Sequence, residues 1–433
     1  MLKKISYIFL LFISIKAVGQ RTNSSPYSFF GIGQQFSSQS VEQASMGGIG
    51  VAFSNEYHIN FLNPAANSVL RLATYTFGMN VNDLTIKDAS GSQKSTSTSL
   101  SYVNIGFPVS SKAAMAFGLK PNTSVGYSLL NITNDINGDP FEATRFYGSG
   151  GTSKIYGAFG MEVLKGFSVG LEGEYVFGTI DNNILSQRVN THLGTTNVET
   201  VKVRGTGLKV GIHYKKELGK DLIVNVGSTL KLENTLTTSG SEYLYSVLIG
   251  ADNLQIPRDT LYANTSLNGS LINPLTKAFG AGLGKKNKWY VGAEYTAQQA
   301  LKATNSIINS NSSYRYGNSS KFSVGGFYLP KANSISSYWD RVTYRAGVRF
   351  ENTGLLINST GISGDFNEIN DFGISFGLGL PLKDISNLNL GVEYGSKGTT
   401  NNNLIKENYF NFKLSLSLNA VGNLAWFRKR KID

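Results

Sequence analysis

The chain has 433 residues with 48 Gly, 25 Phe and 22 Tyr, only 16% charged residues and a formal net charge of +12. The absence of Cys excludes disulfides, lipid-modified cysteines and thiolate metal sites, and three His leave little scope for a histidine metal centre. No basic stripe interleaved with aromatic residues runs along the chain, so the positive charge does not indicate a nucleic-acid partner. No linker or low-complexity tract divides the sequence, which favours one large domain.

The first 19 residues have the pattern of an export signal. Lys3 and Lys4 precede an apolar core over residues 7–15, and Ala17-Val18-Gly19 supplies small residues for cleavage. A membrane anchor is the alternative, but the apolar core is too short to span a bilayer. The predicted signal holds three of the 40 Lys and Arg residues and no acid, so its removal lowers the formal charge from +12 to +9. This balance suits contact with lipopolysaccharide or phosphate head groups at a Gram-negative outer membrane.

Residues 20–70 show no sustained alternation of apolar and polar residues. The segment contains Ser28-Phe29-Phe30-Gly31-Ile32-Gly33, then a Gly- and Ala-rich stretch over residues 44–52, then Asn63-Pro64-Ala65. Its glycines and turn residues predict a compact, irregular structure.

Beyond residue 70 the sequence alternates between apolar and polar residues with a period of two. In residues 372–380 every second residue is apolar, and Gly or Ser lies between. Successive side chains of a strand point to opposite faces, so this pattern predicts strands. Fourteen such segments occur, the third with a kink at Pro121: residues 73–81, 103–107, 113–129, 155–163, 167–177, 208–214, 222–226, 279–283, 289–295, 322–329, 342–350, 372–380, 388–394 and 410–418.

An apolar face opposite a face of Gly, Ser, Asn and charged residues is typical of an outer-membrane barrel, apolar toward lipid and polar within. We therefore predict an all-β fold, a transmembrane antiparallel β-barrel of about 14 strands over residues 71–427. Residues 20–70 are then expected to form a hatch or plug inside the lumen. An even strand number places both termini in the periplasm. Trp426 and Phe427 fit an interfacial girdle, and residues 428–433 a basic periplasmic tail.

Polar stretches between the strands predict long loops outside the cell, at residues 131–144, 181–199, 233–275, 297–321, 352–370 and 395–408. The largest holds an apolar run near residues 243–262. This run fits a loop that folds over the barrel mouth or meets a partner, and it fits an extra hairpin rising above the membrane equally well.

If the apolar positions face lipid, the positions between them face the lumen. Their titratable members are Glu172, Glu174, Lys209, His213, Lys231, Glu294, Arg345, Arg349, Glu393 and Lys413. Charges in a narrow interior are costly unless paired, which favours a ladder of ion pairs that braces the wall and the hatch. The alternative is a polar track that binds the carboxylate of an amphipathic ligand, with Arg345 and Arg349 as the best candidates.

Enzymatic chemistry finds no support in the sequence. None of His58, His192 and His213 has a Ser two residues away, as a Ser-His pair on one strand face requires. We predict no catalytic residues, no metal ligands and no cofactor.

The order of the motifs in residues 20–70, with a signal peptide before them and a strand after them, resembles the long-chain fatty-acid transporter (FadL/TodX) family. The resemblance implies a monomeric 14-stranded barrel through which hydrophobic or amphipathic small molecules diffuse when the hatch moves. Phe29, Phe30, Phe61 and Leu62 flank the hatch motifs and are candidates for ligand contact or gating, together with Asn63, Pro64 and Ala65. Packing of these residues against the wall is the structural alternative.

Relatives of this fold also serve as scaffolds. A non-transporting accessory barrel of a protein-secretion or surface-attachment assembly, with accessory proteins as partners, is therefore the second hypothesis.

Overall fold

The computed structural model describes residues 23–36, 38–89, 91–219, 221–250, 254–304, 313–359, 364–382 and 386–420. The predicted signal peptide, the girdle residues Trp426 and Phe427 and the basic tail lie outside these ranges. Within them, no helix combines the length and apolar character needed to cross a membrane.

The N-terminal segment, residues 23–70, precedes a long series of strands. It contains a 3₁₀ turn (Pro26–Phe29), a short strand β1 (Gln34–Gln35), a helical turn α1 (Val41–Ala44) and a second 3₁₀ turn (Pro64–Val69). The strands that follow are β2 (Thr74–Lys87), β3 (Ser92–Ser110), β4 (Ala113–Asn134), β5 (Pro140–Leu164), β6 (Phe167–Arg188), β7 (Leu193–Leu218), β8 (Leu222–Lys231), β9 (Asn234–Ile249), β10 (Gln255–Asn273), β11 (Thr276–Lys285), β12 (Trp289–Gln298), β13 (Lys302–Thr304), β14 (Tyr314–Tyr316), β15 (Ser319–Tyr328), β16 (Thr343–Ile357), β17 (Asn367–Pro381), β18 (Asn387–Gly398) and β19 (Lys406–Asn419).

Fourteen of these strands close into an antiparallel barrel. The order around the wall is β2 to β8, then β11, β12 and β15 to β19. β19 pairs with β2 from Lys406–Lys87 to Asn419–Thr74, which leaves no free edge at the seam. Each barrel strand coincides with one of the fourteen predicted segments to within one residue at the ends of the segment, so the predicted fold class and strand number are confirmed. The kink predicted in β4 is also present, as a register shift between Pro121 and Thr123.

The barrel wall is apolar outside and polar inside. On β18, Glu393 is 6% exposed and the adjacent Tyr394 is 57% exposed; on β17, Ser375 is 3% exposed and Phe376 is 56% exposed. This inverts the usual pattern of a water-soluble sheet, in which apolar side chains are buried. It is the arrangement expected of strands between lipid and an aqueous interior.

Several predicted long loops are wrong, because the wall continues through them as strands. β4 extends to Asn134 and β5 begins at Pro140, so residues 135–139 alone connect them. Residues 233–275 form the hairpin β9–β10, in which β9 pairs with the first half of β7 and β10 pairs with β13. Of the two alternatives for the largest predicted loop, the structure has the extra hairpin. Residues 234–242 are mostly polar on both faces and residues 243–249 are mostly apolar on both faces, so the period-two signal is lost.

Candidate functional site

The backbone of the N-terminal segment lies against inward-facing glycines of the wall. A Cβ atom at Gly170 of β6 would lie 2.5 Å from the carbonyl carbon of Pro64, and one at Gly227 of β8 would lie 2.8 Å from that of Val51. On β16, a Cβ atom at Gly347 would lie 2.6 Å from the oxygen of Met46. Any larger side chain at these positions would displace the segment, so the wall has glycine where the segment passes.

Polar side chains of the wall hold the backbone of this segment. The Glu294 carboxylate accepts hydrogen bonds from the N–H groups of Gly50 and Val51, both at 2.8 Å. His213 Nε2 lies 2.9 Å from the Ala52 carbonyl oxygen. Lys209 Nζ donates to the Phe61 carbonyl oxygen at 3.3 Å, so three of the ten predicted lumenal residues bind the segment directly.

The helical turn α1 connects the segment to the opposite part of the wall. Ser40 caps it in a capping box with Gln43, which orients Glu42 toward β18. Glu42 Oε1 lies 3.2 Å from His58 Nδ1 and accepts a hydrogen bond from Asn389 Nδ2 at 2.8 Å. The side-chain oxygen of Asn389 in turn accepts a hydrogen bond at 3.1 Å from Arg345, one of the predicted lumenal residues.

The environment of Glu42 favours its ionised form. Burial by itself would raise the pKa of this carboxyl, but the hydrogen bond to His58 and the charges of His58 and Arg345 outweigh it. Together they lower the pKa of Glu42 from 4.5 to about 2.

Two groups of ion pairs line the wall. On β16 to β19, Arg349 binds Glu393 at 2.9 Å, Asp371 at 3.0 Å and Glu351 at 2.9 Å, and Lys413 also binds Glu393. All three donor nitrogens of Arg349 are therefore engaged with carboxylates, an arrangement that matches an ion-pair ladder more closely than a free anion-binding group.

The second group spans β5 to β8. Lys209 binds Glu172 at 2.9 Å, Lys154 binds Glu174 at 3.2 Å, and Lys231 binds Glu174 as well. The prediction omitted Lys154, although it precedes the alternating run at residues 155–163 with inward parity.

The three aromatic gate candidates, Phe29, Phe30 and Phe61, lie in aromatic and apolar clusters. The Phe29 ring makes edge contacts with Tyr127 and Phe146, at centroid distances of 5.1 and 6.1 Å. Phe29 packs against an apolar cluster of residues from the segment, the wall and the β9–β10 hairpin: Ile32, Val125, Tyr127, Val176, Ile180, Val201, Val203, Leu236, Leu267 and Leu271. The other rings are paired too, Phe30 with Tyr314 at 5.0 Å and Phe61 with Tyr102 at 4.8 Å, while Leu62 is half-buried.

The Asn63-Pro64-Ala65 motif fixes a turn against the wall. The Asn63 side chain accepts a hydrogen bond from the Ala65 N–H and donates to the carbonyl oxygens of Val51 and Ile212, at 2.7 and 2.9 Å. Pro64 begins the second 3₁₀ turn, and Ala65 is fully buried. Asn63 therefore joins this turn both to another part of the segment and to β7.

The wall is interrupted between β3 and β4. Their ladder ends at Val103–Leu119, although β3 pairs with β2 as far as Ser92 and β4 pairs with β5 as far as Asn134. The N-terminal segment covers the exposed edge of β4. β1 pairs with it at Gln34–Ser124 and Gln35–Thr123, and Ser28 Oγ accepts a hydrogen bond from the Gly126 N–H.

A partly open cavity of about 330 Å³ separates the segment from the wall at the rim where β11 turns into β12. Its lining combines aromatic and charged side chains, among them Glu42, Phe53, His58, Trp289, Tyr290 and Arg345.

Comparisons with known proteins give a family model and a fold. The family model described as BamG matches residues 1–433, and no curated protein matches the chain. The solved structure of the P. putida toluene transporter TodX is 16% identical, with a TM-score of 0.58 over 88% of this chain and 98% of that chain. The CymD monoaromatic hydrocarbon channel is 14% identical, with a TM-score of 0.54 over 90% and 98% of the two chains. A Pseudomonas aeruginosa FadL homologue is 14% identical, with a TM-score of 0.54 over 88% and 97%. Identities of this size show a shared fold, so the resemblance to FadL/TodX proteins is confirmed at the level of the barrel.

Proposed function

The chain belongs to the BamG family, and from this premise together with its fold we propose that it is an outer-membrane barrel through which hydrophobic or amphipathic small molecules diffuse. The N-terminal segment serves as its hatch, and the apolar outer surface contacts acyl chains of the membrane. Neither a catalytic group nor a cofactor takes part.

The interrupted ladder between β3 and β4 carries this proposal. Backbone N–H and C=O groups at membrane depth require partners, because lipid supplies none. Along the free edge of β4 those partners come from β1 and Ser28, both of which belong to the N-terminal segment. Movement of the segment would therefore open a lateral path from the barrel interior. Phe29 and the apolar cluster around it lie beside this edge and offer a surface for an apolar ligand.

A reversible crosslink tests this gating. Ser68 Oγ in the segment lies 2.8 Å from Ser168 Oγ in β6, and the chain has no natural Cys. We expect the double variant Ser68→Cys/Ser168→Cys, once oxidised, to stop uptake of an uncharged hydrophobe into liposomes and to regain it on reduction. The control is Thr76→Cys/Ser417→Cys, whose positions face each other at 3.2 Å between β2 and β19 and join wall to wall.

Gating by the hatch and transport through the barrel are refuted by different results. Unchanged uptake by the oxidised Ser68–Ser168 variant would refute the hatch mechanism. Uptake by the unmodified barrel no faster than by empty vesicles would refute transport altogether.

A second candidate function, an accessory barrel that holds partner proteins, is favoured by the β9–β10 hairpin. This hairpin extends the wall and has exposed apolar residues at its tip, with Leu254 59% and Ile256 52% exposed. Two results together would establish this function over transport. The barrel would co-purify with fixed partners in stoichiometric amounts and lose them when residues 243–262 are replaced by a short polar turn. It would also give no uptake in liposomes.

A further inference from the structure

The two rims of the barrel differ in charge. At one rim β2 begins and β19 ends, and the even strand number assigns this rim to the periplasm. Strands are joined there by residues 111–112, 165–166, 219–221, 286–288, 329–342 and 382–386. The described part of these connections contains two acidic residues, Asp221 and Asp340, and six exposed basic ones: Lys112, Lys165, Lys286, Lys288, Lys331 and Arg341.

The turns of the opposite rim have the reverse balance. They lie at residues 88–91, 135–139, 189–192, 250–254, 358–366 and 399–405. Among the described residues of these turns there are four carboxylates and neither Lys nor Arg: Asp88, Asp135, Asp139 and Asp365. The basic periplasmic rim is therefore not a consequence of the overall positive charge of the chain, since that charge would appear at both rims.

The basic residues of the periplasmic rim are distributed around the barrel. They lie on four connections, from β3–β4 to β15–β16, and within the described part of the chain only Lys286 of the six has an ion pair, with Glu56 at 3.4 Å. A partner protein would contact one side of the rim, whereas the head groups of a lipid leaflet surround all of it. Basic residues are attracted to an anionic lipid surface. A leaflet therefore matches both the charge and the distribution of these residues.

The β15–β16 connection, residues 329–342, is the longest of the periplasmic connections. It presents three large apolar side chains to the outside, since Ile335 is 102%, Trp339 63% and Tyr338 41% exposed. Lys331 and Arg341 lie near its two ends and are exposed as well. Exposed apolar side chains grouped with polar neighbours mark an interaction surface.

Hydrogen bonds within this connection fix its shape. The Lys331 N–H donates to the Asp340 carbonyl oxygen at 2.8 Å, and Ser334 Oγ donates to the Asp340 carboxylate at 3.2 Å. The Asp340 N–H donates to Ser337 Oγ at 3.4 Å. The only carboxylate of the connection is thus engaged within it, while the aromatic and basic side chains point outward.

The connection continues the lipid-facing surface of the wall. The Tyr344 hydroxyl donates to the Trp339 carbonyl oxygen at 3.3 Å, and the Tyr338 hydroxyl donates to that of Pro381 at 3.2 Å. Tyr344 pairs with Tyr328 across β15 and β16, and the two rings end the outward-facing rows of their strands, 37% and 51% exposed. Aromatic residues at this height form the interfacial belt of membrane proteins. Trp339 and Tyr338 extend this belt beyond the last wall residues.

We propose that the periplasmic rim binds the phosphates of anionic phospholipid head groups and that the β15–β16 connection is its anchor. Trp339 and Tyr338 enter the interface between head groups and acyl chains, and Lys331 and Arg341 bind phosphates beside them. The Arg341 guanidinium carbon lies 5.4 Å from the centroid of the Tyr338 ring, so a phosphate bound there would adjoin the aromatic anchor. The inference rests on the proposed location in the outer membrane, and it adds a lipid site to the proposed transport function.

Trp339 itself reports on this site. The chain has three Trp, and Trp289→Phe with Trp426→Phe leaves Trp339 alone. In nanodiscs, whose two leaflets have the same composition, phospholipids brominated near the head-group end of the acyl chain should quench Trp339 more strongly than those brominated near the methyl end. Acrylamide in the buffer should quench it little. The control is Ile136→Trp in a background without other Trp, because Ile136 is fully exposed in a turn of the opposite rim and should respond to acrylamide alone.

The charge of the head group is tested with the same probe. Brominated phosphatidylglycerol mixed with unbrominated phosphatidylcholine, and the reverse mixture, give the relative binding of the two lipids next to Trp339. We expect phosphatidylglycerol to bind at least about fivefold more tightly, the factor that one basic residue near an anionic lipid surface contributes. Lys331→Gln/Arg341→Gln should abolish this preference. Lys94→Gln/Arg258→Gln, which removes two exposed basic residues near the opposite rim, is the matched control and should keep it.

Different results overturn the two parts of this inference, and folding of each variant is checked by heat-modifiable migration on gels. Quenching of Trp339 by acrylamide as fully as in the Ile136→Trp control, with no effect of brominated lipid, would place the connection in water and overturn the anchor. Equal binding of the two lipids, or a preference that survives in Lys331→Gln/Arg341→Gln, would overturn the phosphate site. Uptake of an uncharged hydrophobe into liposomes tests transport separately, because the double variant should not alter it.

Discussion

Gly170→Ala probes the contact between the N-terminal segment and the wall most directly. The added methyl group would lie 2.5 Å from the Pro64 carbonyl carbon and 2.7 Å from the Ala65 Cα atom. Both distances are below 3.0 Å, which real Cβ contacts essentially never reach, and both atoms belong to backbone. Overpacking of this kind costs about 1–3 kcal/mol. Because the wall strand is hydrogen-bonded on both sides, we expect the segment to move.

Hydrogen exchange followed by mass spectrometry measures this displacement. If exchange proceeds by local opening, a loss of 1–3 kcal/mol accelerates it by about 5- to 150-fold. We expect this acceleration in peptides that cover residues 60–70, with little change in the barrel strands. Gly173→Ala is the control, since a Cβ atom there meets no described atom within 4 Å and the position lies three residues away on the same strand. Equal exchange in the two variants would refute the close packing of the segment.

Three further predictions concern buried charged side chains of the segment and the wall. Glu294→Gln should weaken the two hydrogen bonds to the backbone of the segment by about 1–3 kcal/mol. Hydrogen exchange at residues 50 and 51 should then be faster, and exchange as slow as in the unmodified barrel would contradict this. Glu42 has a folded pKa of about 2 against an ordinary 4.5, so its stabilisation of about 3 kcal/mol is present above pH 4.5 and is lost as the pH falls toward 2. Guanidinium denaturation against pH should show this loss in the unmodified barrel, and an equal loss in Glu42→Gln would exclude Glu42 as its source. Arg349→Met should lower the free energy of unfolding by about 3–5 kcal/mol because it leaves three carboxylates without their shared partner, and adding Glu393→Gln should recover part of that loss.

The sequence predicts the barrel where one face of a strand meets lipid and the other meets the interior. In residues 388–394, Leu, Leu, Val and Tyr alternate with Asn, Gly and Glu, because lipid and water lie on opposite sides. Where the wall continues as the β9–β10 hairpin, this difference disappears. Residues 234–242 are mostly polar on both faces and residues 243–249 are mostly apolar on both faces, so the period-two pattern no longer distinguishes a strand from a loop.

The candidate site is predictable in part. The parity that assigns Glu172 and Lys209 to the lumen also assigns Lys120 and Lys154. Lys120 follows the outward-facing apolar residues of 113–119, and Lys154 precedes those of 155–163. The partners of these residues are not predictable in this way. Lys209 binds the carbonyl oxygen of Phe61, 148 residues away, and Glu294 binds Gly50, 244 residues away. Such contacts depend on the path of an irregular segment that has no periodicity of its own.

The interior charges differ in kind on the two sides of the barrel. On β16 to β19 each charged group of the Arg349 cluster has a partner of opposite charge. On β4 to β8 the lysines outnumber the glutamates, and Lys120, whose ammonium has no hydrogen-bond acceptor among the described residues, lies beside the interrupted ladder. If the segment moves, we therefore expect it to separate first from β4 to β8, while α1 stays attached through Glu42 and Asn389.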